Sequence, residues 1–328
     1  MYRADRFSRI DHSNRGPFVF AVCLVVVMGV AIACNAGRDK TKTDTTSKVP
    51  TAQPTAAGEV TPHVVQQTVT FASAQDAYDK HHYREAAASF DDYVQRHPKN
   101  AFGHYMLGLS AWKSGDLEKA RAAFEQSLTL DSTNVKTLLN LGRVLLDQGR
   151  VDDAFVRVGT AIQLDTGSAE ARRMMGRVQT ARGQRDSAMT SFRVALSLDP
   201  ADSWSMNNLG LLLIDQGRYE EALPPLARAV ELRPESPAFA NNLGVALERT
   251  GHPRAAADAY RAALTADSTY TKATRSLARV EGKSTGDTTT VDVSALASSF
   301  NQEIQDARRT RLMAKGGAKP DSVKTPER

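Results

Sequence analysis

Apolar and polar positions along this chain recur at helical spacing, and the helical blocks themselves recur. Between Ser203 and Ser236, Met206, Leu209, Gly210 and Leu213 fall on one face of a first helix. Gln216-Gly217 follows, and Gly tolerates the left-handed conformation that ends a helix. Ala222, Leu226, Ala229 and Val230 then share one face of a second helix, which stops at Arg233-Pro234. The pattern predicts a helical hairpin, and neighbouring stretches repeat it. NNLGLLLIDQG begins at Asn207 and NNLGVALERTG at Asn241, 34 positions later.

The period holds across six units, from about Gln67 to Tyr270. Glycines stand at Gly108, Gly142, Gly176, Gly210 and Gly244, and again at Gly115, Gly149, Gly183, Gly217 and Gly251, each in steps of 34. Ala86, Ala120, Ala154, Ala188, Ala222 and Ala256 form an alanine series. Four residues on come Phe90, Phe124, Val158, Phe192, Leu226 and Tyr260. Pro98, Pro200 and Pro234 share a further position. Small residues at Gly210 and Ala222 imply a close helix crossing that a Leu at Gly210 would overpack. One hairpin cannot bury its own apolar face, so the units must stack into a continuous core.

The series resembles the tetratricopeptide repeat, a 34-residue helix-turn-helix unit. Leu107-Gly108, Leu141-Gly142, Met175-Gly176, Leu209-Gly210 and Leu243-Gly244 match its Leu-Gly pair. The resemblance implies an all-α, right-handed superhelical solenoid of six repeats, 67–100, 101–134, 135–168, 169–202, 203–236 and 237–270. The first unit departs from the pattern, with Ser73-Ala74 for Leu-Gly and His81 for the turn Gly, as terminal repeats do. Pro224-Pro225 falls within a second helix and predicts a local kink; Pro253 starts its helix. Residues 271–283 read as a capping helix with Lys272, Arg275 and Arg279 on its polar face. The tail 284–328 reads as mostly disordered, with an amphipathic helix over 294–314 through Leu296, Phe300, Ile304 and Leu312. One expectation is that Phe300 and Ile304 fold back into the groove of the solenoid.

The segment before the repeats reads as targeting. Arg3, Arg6, Arg9 and Arg15 precede PFVFAVCLVVVMGVAIAC, an apolar run at the boundary between a signal sequence and a membrane span. Ala31-Ile32-Ala33-Cys34 resembles a bacterial lipobox, in which Cys34 is lipidated, although Ala31 stands where that motif prefers Leu. Cys23 and Cys34 are the two cysteines of the chain, and removal of 1–33 would leave Cys34 at the first position, where a lipid thioether accounts for it. Asn35 in place of an Asp favours, by the same resemblance, the outer membrane and a periplasm-facing protein. An uncleaved single-pass anchor and plain secretion are the alternatives. Residues 35–66, rich in Thr, Ala and Pro, read as a disordered tether.

Composition adds little to this and removes some chemistry. The net charge of +5 is small for 328 residues, and no Lys/Arg run with interleaved aromatics marks a nucleic-acid binder. Gly282-Lys283-Ser284 lacks the upstream Gly and the strand of a phosphate-binding loop. His81, His82, His97 and His104 lack metal-ligand spacing. No catalytic constellation, cofactor or metal is implied, so the expected role is binding.

In a stacked array the first helices line the concave surface, and the second, fifth, sixth, ninth and thirteenth residues of each unit face inward. Asn140, Asn208 and Asn242 hold the sixth position; Asn207 and Asn241 hold the fifth. Their amides suit the backbone of an extended peptide, as in the asparagine ladder of peptide-binding members of the family; bracing neighbouring repeats is the alternative. Lys136, Arg143, Arg173 and Arg177 make the middle of this surface basic, fit to grip carboxylates or simply solvated. Trp204 and Tyr105 lie on the same side, as anchors for a ligand or as groove floor. The chain is thus expected to be a non-catalytic scaffold at the bacterial cell envelope, binding protein or peptide segments. A pilotin-like or outer-membrane assembly lipoprotein, and a substrate-docking subunit of an envelope enzyme complex, are the alternatives.

Overall fold

The computed structural model describes residues 69–284 and 289–316. Cys34, the tether 35–66 and the end of the tail lie outside the described residues. Among the described residues there are fourteen α-helices and no strand.

The helices come in pairs. The first members are α1 (Phe71–Asp79), α3 (Ala101–Ser114), α5 (Val135–Asp147), α7 (Ala169–Ala181), α9 (Ser203–Asp215) and α11 (Pro237–Arg249). The second members are α2 (Tyr83–Arg96), α4 (Leu117–Leu130), α6 (Val151–Leu164), α8 (Arg185–Leu198), α10 (Tyr219–Leu232) and α12 (Pro253–Ala266). Two further helices, α13 (Thr271–Ser284) and α14 (Val293–Gly316), follow.

Local chemistry explains the boundaries. Asn100, Asn134, Ser168 and Asp202 each accept a backbone N–H three residues on and so cap α3, α5, α7 and α9. Between the members of a pair the chain turns through a left-handed residue, such as Gly217 with φ 74°. His81 takes that place in the first pair, with φ 62°, and its ring Nδ1 lies 2.8 Å from the Tyr83 hydroxyl.

The pairs close on a small-against-large contact. A Cβ added at Gly210 would stand 2.4 Å from Leu226 Cγ, and one at Gly244 2.5 Å from Tyr260 Cε1. Gly108 faces Phe124, Gly142 faces Val158 and Gly176 faces Phe192 in the same way. The close approach expected at Gly210 is present, and the residue that presses on it is Leu226. The prolines Pro224 and Pro225 lie within α10, which runs unbroken from Tyr219 to Leu232. They leave the carbonyls of Glu220 and Glu221 without their helical donors.

Contacts between pairs assign the two faces of the stack. The first helices touch in succession, α3 with α5, α5 with α7, α7 with α9 and α9 with α11. Among the described residues the backbones of neighbouring second helices stand further apart, and only long side chains bridge them, as Lys119 of α4 does to Asp91 of α2 at 3.0 Å. The first helices therefore form the inner, tightly curved layer, and furrows separate the second helices on the outer layer. Phe90, Phe124, Phe192 and Tyr260 fill the core between the layers, each at most 1% exposed.

At the C-terminal end, α13 covers α12. Arg279 donates two hydrogen bonds to the Glu248 carboxylate, at 2.8 and 2.6 Å, and Tyr260 donates a third at 2.9 Å. The tail helix corrects one expectation. Ala297, Phe300 and Ile304 are buried, but α14 packs against α10 and α8, on the outer layer, and touches none of the inner helices. The outer furrow between α8 and α10 offers an uncharged strip, whereas the inner groove is lined by polar side chains, so the apolar stripe of α14 is buried outside.

Candidate functional site

The inward positions of α3, α5, α7 and α9 form one continuous surface. Phe102, Tyr105 and Leu109 come from α3, Lys136, Leu139, Asn140 and Arg143 from α5, Glu170, Arg173 and Arg177 from α7, and Trp204, Asn207, Asn208 and Leu211 from α9. Helical spacing puts residues 2, 5, 6 and 9 of each unit on this side.

A hollow of about 260 Å³ opens on α3, α5 and α7, lined by Tyr105, Leu109, Lys136, Leu139, Asn140, Arg143 and Glu170. Its floor is aromatic and aliphatic and its walls are polar. Phe102, 56% exposed, stacks on Tyr105 with ring centres 5.8 Å apart. Asn140 is buried and donates to the Tyr105 hydroxyl at 3.2 Å. Burial raises the Tyr105 phenol above its ordinary value, with the Asn140 bond opposing, so the hydroxyl stays protonated at neutral pH.

The asparagines divide into partnered and open ones. Asn242 donates to Asn207 Oδ1 at 2.8 Å, which joins the fifth position of one unit to the sixth of the next, as Tyr105 and Asn140 are joined. Asn207 and Asn241 are buried, and the Oδ1 of Asn241 accepts nothing. Asn208 is half-buried and its amide makes no hydrogen bond among the described residues.

The basic residues divide too. Arg143 pairs with Glu170 and also donates to Asn140 Oδ1. Arg173 donates to Asp202 at 2.6 Å, and that carboxylate is only 1% exposed. These two guanidiniums are compensated by neighbours, so of the four expected cations Arg177 and Lys136 remain without an ion pair among the described residues. Among the described residues Arg177 makes no ion pair, and its one hydrogen-bonding contact is with Met174 Sδ at 3.7 Å. Burial, and then the neighbouring Arg143, lower the pKa of Arg177; Asp147 acts in the opposite sense and Arg173 adds to the lowering. Asp147 is itself engaged, accepting from the Trp112 indole at 2.9 Å. Lys136 is exposed on the rim of the hollow, without an ion pair among the described residues.

Trp204 is 43% exposed, packs edge-on against Phe239 at 5.0 Å and lies under the Arg233 guanidinium at 5.6 Å. Leu211, 36% exposed, stands on the same face. Sequence reasoning passed over Phe102, Leu109, Glu170 and Leu211, although Phe102 and Glu170 hold the second position of their units, as Lys136 and Trp204 do. Among the described residues no group of three or more His, Cys, Asp or Glu side chains could hold a metal ion. His104 Nε2 lies 3.0 Å from the Pro98 carbonyl oxygen, an ordinary structural contact.

Models of the tetratricopeptide repeat match residues 71–135, 105–169, 207–271 and 160–235. The chain belongs to the tetratricopeptide repeat family. Proteins of this family are interaction scaffolds that bind peptides or other proteins. No curated protein matches the chain. Among solved structures, a tetratricopeptide repeat protein from Parabacteroides merdae aligns at 15% identity over 64% of this chain and 82% of its own, with a TM-score of 0.55. The Pseudomonas aeruginosa protein pilF aligns at 17% identity over 63% of this chain and 94% of its own, with a TM-score of 0.53. At these identities the likeness is one of fold. Among the described residues no helix is long and apolar enough to cross a membrane.

Proposed function

We propose that this tetratricopeptide repeat protein is a non-catalytic scaffold that holds an extended, acidic segment of a partner protein along its inner helices. The observation that carries this reading is Arg177, a half-buried guanidinium in the groove with no carboxylate partner among the described residues. Leaving a guanidinium partly desolvated and unpaired is costly, and a ligand carboxylate would relieve the cost with charge-assisted, bidentate hydrogen bonds. On the next inner helix, α9, the amide of Asn208, which makes no hydrogen bond among the described residues, can serve a peptide backbone, which has both donors and acceptors. The Tyr105–Lys136–Asn140 hollow on α3 and α5 and the exposed Trp204 on α9 offer seats for side chains on the same inner surface.

The test is binding of fluorescent peptides to the full chain, with Arg177→Gln and Asn208→Ala beside the wild type. Acidic extended peptides are expected to bind, with affinity about tenfold weaker in R177Q, the scale of one charge-assisted contact. Equal binding by wild type and both variants would refute the groove as the site. The scaffold is further proposed to sit at the cell envelope, held through lipidated Cys34. The apolar run 17–34 with Ala31-Ile32-Ala33-Cys34 supports this. Cys34→Ala is then expected to move the protein out of the membrane fraction; retention there would favour an uncleaved anchor. The likeness to pilF is of fold, and assigns no partner.

A further inference from the structure

The hollow on α3, α5 and α7 is chemically narrower than the groove around it. Its polar wall is engaged from within. Asn140 donates to the Tyr105 hydroxyl at 3.2 Å, Arg143 donates to Asn140 Oδ1, and the same guanidinium is paired with Glu170. This chain of contacts joins three inner helices and holds the wall in place before any ligand arrives. What the hollow still offers is of two kinds. One is apolar, from Tyr105, Leu109 and Leu139. The other is Lys136 on the rim, an exposed ammonium without an ion pair among the described residues.

The apolar part is built on a row of rings. Phe102 stacks on Tyr105 with ring centres 5.8 Å apart and planes 18° apart, and Phe71 stacks on Phe102 at 5.6 Å and 29°. Phe71 in turn meets Phe90 and Tyr93 edge-on, both at 5.4 Å. The row starts in the core, where Phe90 is fully buried, and ends in Phe102, 56% exposed. Phe102 is thus no stray apolar residue. It is stacked on a ring that lines a hollow, and an apolar surface with a few placed polar groups marks a contact site. Trp204 holds the same unit position three repeats on, but the Arg233 guanidinium already lies over its ring at 5.6 Å.

We infer that the hollow seats an aromatic side chain of the bound segment, with the carboxylate of an adjoining residue on Lys136. This seat rests on the proposed binding of an acidic segment by Arg177, and it gives that segment a second anchor at a set distance from the first. Four of the residues that line the hollow belong to α5, and Arg177 belongs to α7, the next inner helix. Packed helices stand about 8–10 Å apart, which an extended segment covers in about three residues. The partner segment therefore carries an aromatic residue with an acid beside it, and a further acid about three positions from the ring. A ring suits the seat better than an aliphatic chain, because stacked and edge-on ring pairs gain beyond the area they bury. An acid suits Lys136, because Glu170, the carboxylate among the lining residues, is taken by Arg143.

The probe is a fluorescein-labelled Ser/Ala peptide carrying Phe-Asp and a Glu three positions from the Phe, made in both chain directions and titrated against the full chain by anisotropy. Its counterparts replace Phe by Leu, replace Asp by Ser, or move the Glu to the far end of the peptide. Phe102→Ala and Lys136→Gln change exposed side chains and are expected to leave the circular dichroism unchanged. The Phe peptide is expected to bind about three- to tenfold tighter than the Leu peptide, the scale of one ring pair, and F102A should erase that difference. K136Q should weaken only the peptides that hold the Asp. Moving the Glu should lower affinity for the wild type but not for R177Q, which has already lost that contact. Equal affinity for the Phe and Leu peptides, with R177Q still weakening both, would overturn the aromatic seat and leave the acidic groove standing. Equal loss of both peptides in F102A would show Phe102 acting on the fold or as an unselective surface, and would overturn the seat as well. Absence of binding by every peptide would overturn the seat and the groove together.

Discussion

Replacing Gly210 by Ala tests whether helix pairing in this solenoid depends on a bare backbone at the crossing. The added methyl would stand 2.4 Å from Leu226 Cγ, 2.7 Å from its Cδ2 and 3.1 Å from its Cδ1. Ordinary carbon contacts are about 3.5–4.0 Å, so the helices must part by roughly an ångström or Leu226 must leave its rotamer. Overpacking of this kind costs about 1–3 kcal/mol. Ala is better than Gly inside a helix by about 1 kcal/mol, which offsets part of the cost. The net expectation is a loss of about 1–2 kcal/mol. The contact makes a sharper prediction when its other side is removed. Leu226→Ala alone should cost about 2–5 kcal/mol through its cavity. In that background the methyl at position 210 meets no obstacle, so G210A should become stabilising, by up to about 1 kcal/mol. Urea unfolding followed by circular dichroism measures the cycle, and hydrogen exchange localises it, since repeat arrays do not always unfold as one unit. Gly142→Ala calibrates the scale. There the methyl meets Val158 Cγ2 at 2.8 Å and otherwise only Met174 Cε at 3.9 Å, so the loss should be smaller. A neutral or stabilising G210A in the wild type, or the same loss with and without Leu226, would refute the reasoning.

Two further predictions address the ends of the stack. The hydrogen bonds from Arg279 hold the Glu248 carboxyl below its ordinary value of 4.5, with the Tyr260 bond adding to the effect. A carboxyl depressed in the folded state contributes stability above its unfolded pKa, and that contribution is lost as pH falls through the folded value. Protection of α13 against hydrogen exchange should therefore fall with acidification below about pH 4.5, and Glu248→Gln should be weaker at neutral pH with a flatter acid response. An unchanged acid response in E248Q would remove Glu248 as the cause. At the other end, His81 adopts φ 62° where five later units use Gly. Left-handed backbone costs a non-glycine residue about 1–2 kcal/mol, part of which Gly returns through its unfolded-state entropy. His81→Gly should raise the melting temperature slightly and Gly115→Ala, at φ 90°, should lower it; a shift of the same sign in both would contradict this account.

The sequence by itself determined the repeat. The 34-residue phase, the glycine turns and the alternation of small Gly210 with bulky Leu226 are properties of neighbouring segments, and each unit meets only its neighbours, so periodicity suffices to predict the stack. The inner groove was legible to the same extent, because helical spacing alone decides which side of α5 or α7 a residue occupies. Three things were left to the tertiary structure. Which cations are free depends on acids contributed by other units, since Glu170 takes Arg143 and Asp202 takes Arg173 while Arg177 has neither. Which asparagines are free depends on the bond from Asn242 to Asn207 across the repeat boundary. The seat of α14 depends on contacts between residues separated by a hundred positions or so, such as Arg311 with Ser197. An amphipathic stripe states that a helix will be buried, but the choice of surface rests on the burial each one offers, and here the outer furrow prevailed over the polar groove because its strip at Leu223, Pro224 and Ala227 carries no charge to desolvate.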